Sequence, residues 1–290
     1  MPITDTPLRY PGGKTKLYKT IQPIIALNKD PDCCIYVEPF AGGAGLALRL
    51  LFRNDVDYLV LNDLDYGIYS FWHSCLHNNA ALCKMISNCS IDIDTWEIQK
   101  SIYNNHTAFS MLQVGFATFF LNRCNVSGVI NGGIIGGYEQ LGKYKINARF
   151  NKTELISKIQ KIGQYSNRIS FFNMDADLFL KQQLPSYCSH HLFLNIDPPY
   201  VKKGPMLYKN SFTTLEHSTL AQTIQSLPYK WIVTYDKCDF IDALYSKYNR
   251  KVLELNYSAG ATKQGNEYII FSDNINLPQQ NTNANIMPSA

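Results

Sequence analysis

The chain has 290 residues, room for one large α/β domain or for one such domain carrying a smaller insertion. With 46% hydrophobic and 17% charged residues it can build a real core, which excludes a disordered tail. Its net charge of +4 neither requires nor excludes a polyanionic partner, so the distribution of charge along the chain has to decide.

In chain order, short apolar runs rich in β-branched and aromatic residues alternate with helix-period segments, the pattern of a doubly wound parallel sheet. A helix over 14–26 precedes a strand at Ile35–Val37, and a helix over 43–53 precedes a strand at Tyr58–Leu61. After a helix over 65–78 the spacing breaks: about a hundred residues separate this strand from the next, where one crossover needs only a few tens. The excess predicts an inserted, mainly helical unit over 70–165, leaving 1–69 and 166–276 to form the sheet domain. Within the insertion Met111–Leu121 is the nearest approach to a membrane span, and it falls short of the roughly 18 residues required. Asn131-Gly132-Gly133-Ile134-Ile135-Gly136-Gly137, followed by the alternating Tyr144–Phe150, reads as a hairpin or bulged loop. Beyond it come a helix over 152–166 and strands at Ile169–Asn173, Leu192–Ile196 and Trp231–Tyr235, with helices over 175–183, 214–226 and 237–247. The last strands, Lys251–Asn256 and Tyr268–Phe271, are joined by Tyr257–Glu267, too short for a helical crossover, and are therefore expected to be antiparallel. The stretch 277–290, rich in Asn, Gln and Pro, is expected to be disordered.

Met1-Pro2-Ile3-Thr4-Asp5 lacks a basic stretch leading into an apolar one, so a cytoplasmic protein without a secretory leader is expected. The eight cysteines contain no Cys-x-x-Cys pair, so neither a redox motif nor a zinc ribbon is spelled out. His73, Cys75 and His77 match no familiar closed metal site and read better as a helix whose cysteine packs as a small hydrophobe; no metal is expected. Charge is unevenly placed. Residues 141–170 carry seven Lys and Arg against Glu154 alone, which suits a polyanion, although a solvated helix face explains part of the excess. Residues 31–70 carry Arg49 and Arg53 against six acids, which suits a cationic or hydroxyl-rich ligand.

Two segments carry chemistry. Glu38-Pro39-Phe40-Ala41-Gly42-Gly43-Ala44-Gly45 follows the first strand and opens a helix. In a dinucleotide fold such a loop would take a pyrophosphate on the helix N-terminus, but the spacing is not Gly-x-Gly-x-x-Gly. The carboxylate of Glu38 would repel phosphate and attract an amino group. The second strand ends at Asn62-Asp63, where an acid can accept from both ribose hydroxyls. A nucleoside with an amino-acid tail and no phosphate is S-adenosylmethionine (AdoMet); a generic strand-to-helix turn is the plainer alternative. Farther on, the fourth strand runs into Asp197-Pro198-Pro199-Tyr200, at the carboxyl edge where open α/β sheets hold their ligands. The two prolines have no N–H, so beside Asp197 they form an acceptor-only cradle that suits an amine. Tyr200 offers a face on which a base can stack. A rigid turn with Asp197 as a helix cap is the alternative.

Three blocks in this order, Leu8-Arg9-Tyr10-Pro11-Gly12-Gly13-Lys14, then Glu38–Gly45, then Asp197–Tyr200, resemble the Dam-type DNA adenine-N6 methyltransferases. Further similarity lies in Phe119-Phe120-Leu121-Asn122-Arg123, Gly142-Lys143-Tyr144-Lys145 and Asn210-Ser211-Phe212, so the resemblance covers most of 7–272. It implies a class I methyltransferase sheet with an inserted target-recognition domain, AdoMet as cofactor and double-stranded DNA as substrate. By the same resemblance Tyr10, Gly12, Gly13 and Lys14 line the cofactor pocket together with Glu38, Pro39, Phe40, Gly42 and Asn62. Asp63 matches the ribose acid, Asp175 or Asp177 approaches the adenine ring of AdoMet, and Asp197 with Pro198, Pro199 and Tyr200 meets the target amine. Asn122, Arg123, Lys143, Tyr144, Lys145 and Arg149 are the DNA-contact candidates. A monomer is expected; whether a cognate restriction endonuclease accompanies it stays open.

Departures limit the transfer. After Asn122-Arg123 the family members with the Dam site carry an aromatic and a basic residue, whereas this chain has Cys124-Asn125-Val126-Ser127-Gly128-Val129-Ile130-Asn131, so the recognised sequence need not be the Dam tetranucleotide. Arg9–Lys14 lacks the Gly-Lys-Ser/Thr ending of a phosphate loop and is not one. Cytosine N4 or RNA adenine methylation, and a DNA-binding regulator that has lost turnover, are the rival readings.

Overall fold

The computed structural model describes residues 4–10, 14–201, 212–257 and 263–278. Its sheet has seven strands, β1 (Ile35–Glu38), β2 (Tyr58–Asn62), β3 (Ile169–Phe172), β4 (Leu192–Ile196), β5 (Lys230–Asp236), β6 (Arg250–Tyr257) and β7 (Lys263–Phe271), in the order β3-β2-β1-β4-β5-β7-β6. The first five are parallel, and β7 lies antiparallel between β5 and β6. Every residue of β1 and β4 is buried, as expected of strands covered on both faces. Alternate residues divide between two cores. Tyr36, Leu59, Leu61 and Phe193 face α1 (Tyr18–Asn28) and α2 (Gly45–Phe52). Val37, Val60, Leu194 and Ile196 face the other way, onto the cluster that includes residues of α8 (Ala176–Gln182), α9 (Thr214–Ser226) and α10 (Asp239–Leu244).

The strands and most helices lie where the hydrophobic pattern puts them. One clear difference is β7, which starts at Lys263 rather than Tyr268 because its pairing with β6 continues as far as Tyr257 opposite Lys263. The connection between the last two strands thus shrinks to 258–262, outside the described residues.

Between β2 and β3 the chain builds α3 (Tyr66–His77), α4 (Asn79–Asn88), α5 (Ile93–Asn104), α6 (Met111–Cys124) and α7 (Lys152–Gln164). A capping box of Ser110 and Gln113 opens α6, and every residue from Val114 to Asn122 is buried. A helix apolar on all sides belongs at the centre of its bundle, and this one packs between α3 and α5. Gly115 permits the contact with α3: a Cβ there would lie 2.5 Å from the Ser70 carbonyl oxygen. The glycine-rich run folds back through an isolated antiparallel bridge between Asn125 and Ile134. The expected alternation at 144–150 is not a strand but a 3-10 turn, Ile146–Arg149; Ile146 and Phe150, four apart, are the buried pair.

Cys75 is wholly buried, while the rings of His73 and His77 lie against each other at 4.5 Å. Residues two apart on a helix point to different faces, so the three do not converge on a common centre. Among the described residues no helix is long and apolar enough to cross a membrane.

Candidate active site

The strand order reverses between β1 and β4, which makes the crevice at their carboxyl ends the place where a doubly wound sheet holds a ligand. Glu38 ends β1, Asn62 ends β2, Asp197 follows β4, and Thr234 and Asp236 end β5. Because β7 runs antiparallel, its central residue Glu267 arrives at the same edge, opposite Asp236.

Asp197 is held through one oxygen. Lys14 Nζ lies 3.2 Å from its Oδ1, and the Thr234 hydroxyl donates to the same atom at 2.5 Å. Among the described residues both partners of this carboxylate meet Oδ1, which leaves Oδ2 to accept from a substrate. The Lys14 ammonium also donates to Glu267 Oε2 at 3.0 Å and to the Tyr200 hydroxyl. Burial works against that charge, but the Asp197 and Glu267 carboxylates outweigh it and hold the ammonium above the ordinary lysine range. The backbone N–H of Val201 donates to Asp236 Oδ1 at 3.0 Å, anchoring the far end of Asp197-Pro198-Pro199-Tyr200 to β5.

Glu38 is buried and accepts from the Tyr36 hydroxyl at 3.0 Å. Burial pushes its carboxyl up to about 8; donation from Tyr36 and Asn195 opposes the shift, and the nearby Asp197 charge adds to it. No Lys or Arg pairs with Glu38 among the described residues. A buried carboxylate lacking a cation fits the ammonium of an amino-acid ligand. Asp63 accepts from the N–H of Gly42 at Oδ2 (2.8 Å) and from that of Asp65 at Oδ1 (2.9 Å), and burial raises its carboxyl. Each oxygen retains a lone pair for a hydroxyl. Between the two acids the turn is shaped by Gly42, whose φ is +46°: the Tyr10 ring packs where its Cβ would stand, and the Trp72 indole donates to its carbonyl at 2.9 Å.

Several expected contacts fall elsewhere. Asn62 is fully buried, donating to the carbonyls of Pro39 and Met174 and accepting from the Met174 N–H, so it ties three strand ends together and faces no ligand. Asp175 caps α8 by accepting from Asp177 and Leu178, and Asp177 pairs with Lys181. Phe40 packs edge-on against Phe212 at 5.9 Å. Gly12 and Gly13 lie outside the described residues. Asn122 is buried with its amide bound to the backbone of Arg9 and Gly128, and Arg123 donates to the carbonyls of Arg149 and Pro7. Burial, with the neighbouring Arg9 charge, lowers the Arg123 guanidinium to about 10. These two residues staple the amino-terminal segment to the loops that follow α6.

The basic excess of 141–170 is likewise partly structural. Lys152 donates to the Ser87 and Cys89 carbonyls, Lys158 pairs with Glu154, Lys161 covers the Phe52 ring at 4.1 Å, and Arg168 donates to the Asp57 and Val56 carbonyls. Around the exposed Tyr144 lie Lys143, 5.9 Å from its ring, and Arg149, at 5.4 Å, with exposed Lys145, which donates to the Gln140 carbonyl, beside them. Sequence reasoning overlooked Thr234, Asp236 and Glu267. The signal was a polar residue at a strand end, weak until the antiparallel direction of β7 is known.

The model of the D12 class N6 adenine-specific DNA methyltransferases matches residues 10–259. The chain belongs to that family. The methyltransferase is 21% identical over 258 residues to the type II methyltransferase M.CviBI of Paramecium bursaria Chlorella virus NC1A, covering 86% of this chain and 90% of the relative. Similar solved structures include the rRNA methyltransferase aviRa of Streptomyces viridochromogenes (12% identity, TM-score 0.39, 91% of this chain and 87% of that one). They also include an S-adenosylmethionine-dependent class I methyltransferase of Listeria monocytogenes described as putative (9% identity, TM-score 0.40, 93% and 64%). The methyltransferase is thus an adenine-specific DNA-modifying enzyme whose cofactor is AdoMet, on a doubly wound sheet in which β7 runs antiparallel.

Proposed function

We propose that the methyltransferase flips an adenine out of double-stranded DNA at a specific sequence and transfers a methyl group to its exocyclic N6. The observation that carries this reading is the acceptor set at the switch point. Asp197 and the N–H-free Pro198-Pro199 segment stand at the carboxyl end of β4, at the edge that also carries the buried Glu38, without a cationic partner among the described residues, and the second acid Asp63. AdoMet supplies the sulfonium methyl. Glu38 would hold its ammonium, Asp63 its ribose hydroxyls, and Tyr10 would pack beside the turn between them.

The protein's own part is positioning. Asp197 and the Pro198 carbonyl accept from the N6 hydrogens, which draws the nitrogen toward sp³ geometry and frees its lone pair for in-line attack; holding the reactants so can be worth about 7–11 kcal/mol. Lys14 and Thr234, both on Oδ1, keep the acid oriented. Stacking on Tyr200 offsets part of the few kcal/mol that extrusion costs. No covalent intermediate is required.

Residues 70–165 act as the target-recognition unit in this reading, with Lys143, Tyr144, Lys145 and Arg149 meeting DNA. The double variant Lys143→Ala/Lys145→Ala is expected to weaken DNA binding and to reduce the slope of log affinity against log salt by about 2, since each phosphate contact contributes about 0.9. Fluorescence titration of a duplex at several salt concentrations measures this, and an unchanged slope removes these lysines from the interface. We infer further that the enzyme acts as a monomer and, by likeness to a relative named as a type II methyltransferase, beside a restriction endonuclease that its mark excludes.

A further inference from the structure

On the edge of the sheet away from the crevice, we infer a site for a zinc ion or a similarly borderline-soft divalent cation, formed by Cys188, His190, His191 and Asp30. The first three come from the 3-10 turn Ser189–His191 and the residue before it, which lead into β4; Asp30 comes from the loop that leads into β1. These strands are neighbours, with Ile35 paired to Leu192 at their start, so two segments 158 residues apart in sequence arrive side by side.

The geometry favours one centre. Cys188 Sγ lies 3.2 Å from His190 Nδ1 and 3.5 Å from Nε2, and the donor atoms of Cys188, His190 and His191 all fall within 4.8 Å of one another. Both imidazoles face the same carboxylate: His190 Nε2 is 3.9 Å from Asp30 Oδ2, and His191 Nε2 is 3.9 Å from Oδ1. With zinc–sulfur bonds near 2.3 Å and zinc–nitrogen or zinc–oxygen bonds near 2.0–2.2 Å, tetrahedral donors stand about 3.3–3.6 Å apart. The donors therefore need to close by no more than about 1.5 Å, which rotation of the exposed Cys188 and His190 and the half-exposed His191 and Asp30 side chains supplies. Asp30 is also preset: it accepts from the Asp32 N–H at 2.9 Å, which steadies its loop. One thiolate, two imidazoles and one carboxylate form a donor set that zinc accepts and that magnesium or calcium does not favour. Bound there, the ion would tie the loops before β1 and β4 together at the end of the sheet remote from Asp197.

The test uses the full-length protein, stripped with a chelator and then titrated with zinc against a chromophoric competitor, and separately with cobalt(II). One equivalent of zinc is expected, together with a tetrahedral cobalt spectrum carrying a thiolate-to-metal charge-transfer band. Cys188→Ser should abolish that band and weaken zinc binding at least about tenfold, the low end expected when a metal site loses support. Asp30→Asn should weaken binding while keeping the band, because the sulfur remains. Zinc should raise the melting temperature of the wild type and leave that of Cys188→Ser unmoved. Absence of stoichiometric zinc in the wild type, or a charge-transfer band that persists in Cys188→Ser, would overturn the site.

Discussion

Replacing Asp197 with alanine is expected to lower single-turnover methyl transfer at least about a thousandfold, roughly 4 kcal/mol of barrier, while DNA and AdoMet binding change little. The size follows from what the side chain does. In the proposed reaction it accepts from the reacting nitrogen, and its other oxygen is fixed by Lys14 at 3.2 Å and Thr234 at 2.5 Å. The fold should survive, because Lys14 keeps Glu267 and Tyr200 as partners. Rapid-quench assays with tritiated AdoMet on saturating DNA read the step directly. A variant that retains more than a few per cent of the wild-type rate would remove Asp197 from the chemistry.

The second large effect concerns Glu38. Its carboxyl lies near 8 in the unliganded protein because it is buried, and it is therefore mostly neutral at pH 7. Only the ionised form can pair with the ammonium of AdoMet, so binding releases a proton. Affinity should accordingly rise with pH by up to about tenfold per unit below about 8, and fall again above it as the α-amino group of the free cofactor, which ordinarily titrates at about 7.7–8.0, loses its proton. Glu38→Gln cannot ionise. At pH 8 it should bind AdoMet about 10–100-fold more weakly, matching the loss of a charge-assisted hydrogen bond worth about 1.5–3 kcal/mol. At pH 6, where the wild-type acid is itself protonated, the two proteins should differ much less, so the gap between them opens as pH rises. Calorimetry across that range, in buffers of different ionisation enthalpy, measures both affinity and protons released. The same pH slope in both proteins would place the cofactor ammonium elsewhere.

The sheet was legible because its strands are short apolar runs bounded by turn residues, and the excess of chain between Tyr58–Leu61 and Ile169–Asn173 announced extra helices, which are α3–α7. The centre of the insertion was not, since α6 is buried on all sides and carries no amphipathic period to read. Motif residues whose side chains face the crevice were visible, Glu38, Asp63, Asp197 and Lys14 among them. Asn62, Asn122 and Arg123 stand in the same motifs but satisfy backbone groups, and a motif does not distinguish a residue that touches the ligand from one that holds the loop. Glu267 was hidden for a different reason: nothing local in its strand says that an antiparallel return will carry it to Lys14, 253 positions away. The charge excess of 141–170 misled in part, because net charge counts a lysine that caps a carbonyl and a lysine in solvent alike.

Product identity tests the central reading most directly. Unmethylated DNA incubated with the enzyme and tritium-labelled AdoMet, digested to nucleosides and separated, should carry its label in N6-methyldeoxyadenosine alone. Label in N4-methyldeoxycytidine, or incorporation only when RNA replaces DNA, would contradict it.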